Sequence, residues 1–112
     1  MPPRAQRHQE FITGRLYNES FKIGNVKFDG LKNGVLLDAK SGYGGFIDKR
    51  TGRWHEWFRG QDGLINQARR QIEAAQGVAI EWHFDNEQAM KLIRELIHGE
   101  GLKKIKFVYT PR

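Results

Sequence analysis

The chain has 112 residues, a net charge of +6 and a pI near 9.8, so one basic domain is the natural prior. Without a cysteine it can hold neither a disulfide nor a thiolate metal site, and no stretch approaches the roughly twenty apolar residues a membrane-spanning helix needs. Such a charge balance favours a polyanionic partner, nucleic acid first among them, although a solvated basic surface carries the same charge.

Taken in chain order, Ala5 to Ile12 reads as a short helix stopped by Thr13-Gly14. Phe21 to Asp29 has β-type residues broken by Gly24-Asn25, which predicts a strand, a tight turn and a second strand from Val26 to Asp29. Gly30 to Gly34 reads as a turn, Val35 to Lys40 as an apolar strand ending in charge, and Ser41 to Gly45 as a glycine-rich loop. A further short strand is expected over Phe46 to Asp48, while Thr51 to Gly60, with Trp54, Trp57 and Phe58, fits no single element. Leu64 to Gln76 is a helix with Leu64, Ile65, Ala68, Ile72 and Ala75 on its apolar stripe and Gly77 as its stop. Val78 to Phe84 is a strand. Asn86 caps a helix over Glu87 to His98, and Ile105 to Tyr109 is the last strand. The order α-β-β-β-α-β-α-β predicts an α/β fold of the α+β mixed-sheet kind, with helices on its faces.

The candidate chemistry sits on the Val35–Lys40 strand. Side chains alternate across a strand, so Leu36, Asp38 and Lys40 share one face, with Asp38 and Lys40 roughly 7 Å apart. A hairpin returning through Gly30 to Gly34 can bring Asp29 beside Asp38. Two adjacent carboxylates repel unless a cation lies between them, and Mg²⁺ needs only one or two carboxylates besides water and phosphate. The Ala39 carbonyl is a further candidate ligand, and Lys40 is placed to orient or deprotonate a nucleophile and to offset charge on a phosphate. The bland alternative is a surface Asp38–Lys40 pair with Asp29 serving its turn.

On the Leu64–Gln76 helix, Gln67, Arg70 and Gln71 are neighbours on what reads as the polar face, able to grip a phosphate or orient water, or else simply solvated. Glu10 is a candidate third acid, and Tyr43 either touches the substrate backbone or packs. The cluster of Arg53, Trp54, His55, Trp57 and Arg59 suits base stacking or the cover of a core edge. His83 reads as structural, and no histidine triad, Ser-His-Asp arrangement or P-loop is present.

Several of these runs are shared with a known family. Phe28-Asp29-Gly30, Leu36-Leu37-Asp38-Ala39-Lys40 and Tyr43 resemble the restriction-endonuclease-fold toxin domains of bacterial polymorphic toxins, the fifth of the Tox-REase groups. So do Thr13-Gly14, Gln67-Ala68, Arg70-Gln71, Trp82-His83-Phe84 and Val108-Tyr109-Thr110-Pro111. The resemblance implies a PD-(D/E)xK core, α-β-β-β-α-β with an added helix and strand. It implies phosphodiester hydrolysis, here expected on DNA, with Mg²⁺ or Mn²⁺ as cofactor; an RNase, a junction resolvase and a non-catalytic nucleic-acid-binding module are the rival readings. By position, Asp29 and Asp38 would hold the metal, Lys40 would be the catalytic lysine, Gln71 (with Gln67 as the alternative) the helix residue, and Glu10 a further acid. Asp38 stands where the group more often has Glu, and Phe28 where the superfamily motif has Pro. The resemblance further implies a single toxin domain over residues 1–112, the C-terminal part of a larger effector. Such an effector is often delivered by type VI secretion into the cytoplasm of a target bacterium. An acidic immunity protein would oppose it, and the domain itself would insert in no membrane.

Overall fold

The protein is represented by a computed structural model that describes residues 21–111. The predicted first helix, and with it Glu10, lies outside the described residues.

Four strands form the central sheet: β3 (Gly30–Lys32), β4 (Val35–Lys40), β7 (Ile80–Phe84) and β8 (Ile105–Tyr109), in that spatial order. β3 runs antiparallel to β4, whereas β4, β7 and β8 are parallel, so the sheet is mixed. The parallel pairs need crossovers, supplied by α1 (Gln61–Ala75) between β4 and β7 and α2 (Glu87–Gly99) between β7 and β8. Both crossovers advance in the same direction across the sheet. Crossovers of one hand therefore put both helices on the same face, the one carrying Leu36, Ile80, Trp82, Phe84 and Ile105. The mixed sheet with helices packed on it is as expected, and both described helices lie on one face.

Two hairpins flank the sheet: β1 (Phe21–Ile23) with β2 (Val26–Phe28), and β5 (Ile47–Asp48) with β6 (Arg53–Trp54). A short 3₁₀ turn over Tyr43–Phe46 joins β4 to β5.

Local chemistry explains most of these boundaries. Asn33 and Gly34 both have positive φ (54° and 77°), the signature of a two-residue hairpin turn, so the reversal occupies two residues rather than the five expected. Gly30 and Leu31 are thereby freed to extend as β3, with Gly30 buried against Leu37 and Leu31 packed on the core. β7 begins at Ile80 rather than Val78, because the Val78 N–H turns back to the Ala75 carbonyl (3.0 Å) to close the end of α1. Asn86 caps α2 as expected, its side-chain oxygen accepting from the Ala89 N–H at 2.9 Å. The helix ends in a Schellman arrangement, with Leu102 N–H to Ile97 O and Gly101 N–H to His98 O.

The core joins Leu64, Ile65 and Ala68 of α1 and Met90, Ile93 and Ile97 of α2 to that face of the sheet, with Phe28 closing one end. Ile72, expected inward, is only partly buried; Gln71 occupies the buried position on that turn.

Candidate active site

β4 delivers Asp38 and Lys40 near its C-terminal end, on the face that the helices cover, and both are almost inaccessible (5% and 6% exposed). The parallel strands of an open sheet commonly carry their ligand crevice at this end. The β3–β4 register pairs Gly30 with Leu37. One step further the same antiparallel ladder sets Asp29 opposite Asp38, so their side chains rise from the same face. Two backbone bonds hold Asp29 there: its N–H donates to the Leu37 carbonyl (2.9 Å), and its Oδ2 accepts from the Ala39 N–H (2.7 Å).

The electrostatics follow from this placement. Burial pushes the Asp29 carboxyl up to about 7, and the negative charge of Asp38 pushes the same way, while the Ala39 N–H and the Lys40 charge pull it down less strongly. Lys40 Nζ donates to Asp38 Oδ2 and to Gln67 Oε1, the latter at 2.7 Å. It also lies 4.5 Å above the Trp82 ring, which supplies a cation–π floor. Gln67 Nε2 approaches Asp38 Oδ2 at 3.4 Å. An acid pair, an amine and an amide thus converge from β3–β4 and α1.

Other expected positions fall elsewhere. Gln71, expected on the polar face of α1, is fully buried: its Oε1 accepts from Trp82 Nε1–H (2.8 Å) and its Nε2 faces the Lys27 carbonyl (3.4 Å). Of the two glutamines it is therefore Gln67, the alternative, that meets Lys40 and Asp38, and Gln71 braces the tryptophan beneath the lysine. Arg70 is exposed and lines, with Asn25, Lys27 and Gln67, a groove of about 220 Å³ between β2 and α1. Tyr43 opens the 3₁₀ turn and packs edge-on to Phe46 (6.0 Å between centroids) against the core. Ala39 lies between the two site residues of β4, with its N–H committed to Asp29. His83 points to the opposite face of the sheet, between Thr110 Oγ1 and Glu81 Oε1, both at 2.8 Å. Trp82 was not singled out as a site residue from the sequence; its parallel register opposite Asp38 is what brings it under Lys40.

Among the described residues, no group of three or more histidine, aspartate or glutamate side chains gathers into a metal cluster. Asp29 and Asp38 form a pair, which suffices for a hard cation that completes its shell with water and phosphate oxygens.

The profile of the restriction endonuclease fold toxin 5 family matches residues 5–87, a span that includes Asp29, Asp38, Lys40 and Gln67. No curated protein matches the chain.

Proposed function

The chain belongs to the restriction endonuclease fold toxin 5 family and so is a nuclease toxin of that fold; from that premise we propose that it hydrolyses DNA phosphodiester bonds with the help of Mg²⁺ or Mn²⁺, at Asp29, Asp38 and Lys40. The observation that carries this reading is the meeting of two carboxylates, Asp38 on β4 and Asp29 in the link between β2 and β3, with a buried amine alongside. Carboxylates so placed repel when both are ionised, and a divalent cation is the partner that relieves this while both keep their charge.

Asp29 and Asp38 would hold the cation, with the Ala39 carbonyl as a backbone ligand. When bound, the ion would supply Lewis-acid polarisation of the phosphate and lower the pKa of a water. Lys40 has three donors, of which Asp38 and Gln67 engage two, leaving one for a phosphate oxygen or the attacking water. The Trp82 ring and the Gln67 amide fix where that amine lies, so its charge faces the phosphate as negative charge develops, without reorganisation. Arg70 and Lys27, beside the groove along α1, would hold flanking phosphates. Glu10 would add a further acid.

In its biological setting the domain would form the C-terminal part of a larger secreted effector, act in the cytoplasm of a target bacterium after type VI delivery, and be neutralised by an acidic immunity protein that covers its basic site.

The test is degradation of plasmid DNA, matched RNA and branched DNA with Mg²⁺, with and without EDTA, by the wild type and Lys40→Ala. Metal-dependent DNA cleavage that Lys40→Ala abolishes supports the reading. Equal activity of the two proteins removes Lys40 from the site, and cleavage confined to RNA or to branched DNA reassigns the substrate.

A further inference from the structure

Beyond the acid pair, a second group of residues has the chemistry of a nucleic-acid contact. The 3₁₀ turn begins three residues after Lys40 and leads directly into the β5–β6 hairpin, so the hairpin grows from the same end of β4 as the site. Its aromatic residues divide into two sets. Trp54 and Phe58 lie 4.7 Å apart, Phe46 stacks on Phe58 at 4.6 Å, and Phe58 is buried, so these rings cover the core edge. Trp57 does not: it is 59% exposed, more than any other large apolar side chain among the described residues. It stacks nearly parallel on His55 (14°, 5.0 Å) and is met edge-on by Phe46.

An exposed indole offers a large flat apolar face on which a base can stack. Here the ring is also held in place by its neighbours, so little conformational freedom remains to be lost on stacking. It borders a groove of about 510 Å³ lined by Arg50, Arg53, Trp54, His55 and Glu56, within the roughly 300–1,000 Å³ range of ligand sites. The guanidiniums have partners, Asp48 for Arg50 and Glu95 for Arg53. Each pair is a two-bond contact at the surface, but each guanidinium has five N–H donors and keeps others to share with a phosphate. Lys49 and Arg59 add positive charge on the same segment.

We propose that Trp57 and the arginine-lined groove beside it form a stacking subsite for an unpaired base of the substrate strand, one or more nucleotides away from the scissile phosphate. The proposal deepens the nuclease reading and rests on it: the substrate class it adds is single-stranded or frayed nucleic acid. The base lies on the indole while Arg50 and Arg53 hold the neighbouring phosphates, an arrangement that tolerates any sequence because every base has a π-face.

The experiment is anisotropy of a labelled ten-nucleotide oligothymidylate and of a blunt duplex of equal length, titrated with the whole chain in EDTA. Wild type, Trp57→Ala and Trp57→Phe are compared, with kcat and KM measured separately in Mg²⁺. Trp57→Ala weakens oligothymidylate binding about tenfold, the lower part of the stacking range, and Trp57→Phe keeps most of the affinity. Duplex binding is nearly the same in all three, and KM for single strands rises in Trp57→Ala at constant kcat. Unchanged oligothymidylate binding by Trp57→Ala, a loss as large in Trp57→Phe, an equal loss on duplex, or no binding by the wild type overturns the subsite. Failure of the nuclease reading shows separately, as the absence of metal-dependent cleavage by the wild type.

Discussion

Replacing Asp29 by Asn makes the metal-free protein more stable at neutral and alkaline pH while abolishing cleavage. Asparagine keeps an oxygen for the Ala39 N–H and adds an amide that can donate to Asp38, so the geometry survives and only the charge is removed. The Asp29 carboxyl is pushed from 3.8 up to about 7, first by burial and then by Asp38, so the folded state binds its proton more tightly than the unfolded chain does. Its contribution to stability is therefore complete below pH ~3.8 and is lost as pH rises through about 7. Across a span of about three pH units, at about 1.4 kcal/mol each, the ceiling is about 4 kcal/mol. Water reaching the half-buried carboxylate reduces this to roughly 2–3 kcal/mol. Measured by thermal melts in EDTA, the advantage of Asp29→Asn over wild type grows between pH ~4 and ~7 and is level above. At pH 8 it amounts to a rise in Tm on the order of 10 °C. A constant difference across that range, or a less stable Asp29→Asn at pH 8, would refute the burial of one acid against the other.

Further outcomes separate the roles of neighbouring residues. Gln71→Leu leaves the Trp82 indole N–H and the Lys27 carbonyl without their partner and costs about 2–3 kcal/mol in urea unfolding. Gln67→Ala changes stability by about 1 kcal/mol or less, yet lowers kcat about tenfold or more, since it frees the Lys40 amine to wander. Similar kinetic and stability effects for the two glutamines would contradict that division. Asn86→Ala, which removes the cap of α2, costs about 1 kcal/mol in the same unfolding assay.

The periodicity of the long elements carried most of the fold. α2, β4 and β8 lie where apolar spacing puts them, because each buries a stripe on one core, while α1 starts at Gln61, three residues before the expected Leu64, with a Gly60 cap that gives no side-chain signal. What sequence pattern could not resolve was short and glycine-rich. β3 is three residues long, and Gly30 gives no hydrophobic signal although pairing with Leu37 buries it. β5 falls within the short strand expected over Phe46 to Asp48, but its two-residue partner β6 lies in the segment that fitted no single element, too short for any period to register. For the candidate site, alternation along Val35–Lys40 already put Asp38 and Lys40 on one face, and the hairpin put Asp29 near them. The choice between Gln67 and Gln71 was not legible, since both lie one turn apart on the same side of α1. In the structure the Trp82 indole N–H, which needs a buried acceptor, takes Gln71, and Gln67 is left facing Lys40. Trp82 itself enters through strand register across a long crossover, information that no local window holds.

Whether Asp29 and Asp38 share one divalent ion is read most directly by calorimetric titration of Mn²⁺ into the metal-free protein at pH 8. A single site is expected in the wild type, abolished in Asp38→Asn and retained in Lys40→Ala, because the lysine is neighbour to the ion and not its ligand. No binding by the wild type, or binding by Asp38→Asn indistinguishable from it, would mean that the two carboxylates do not hold a shared ion.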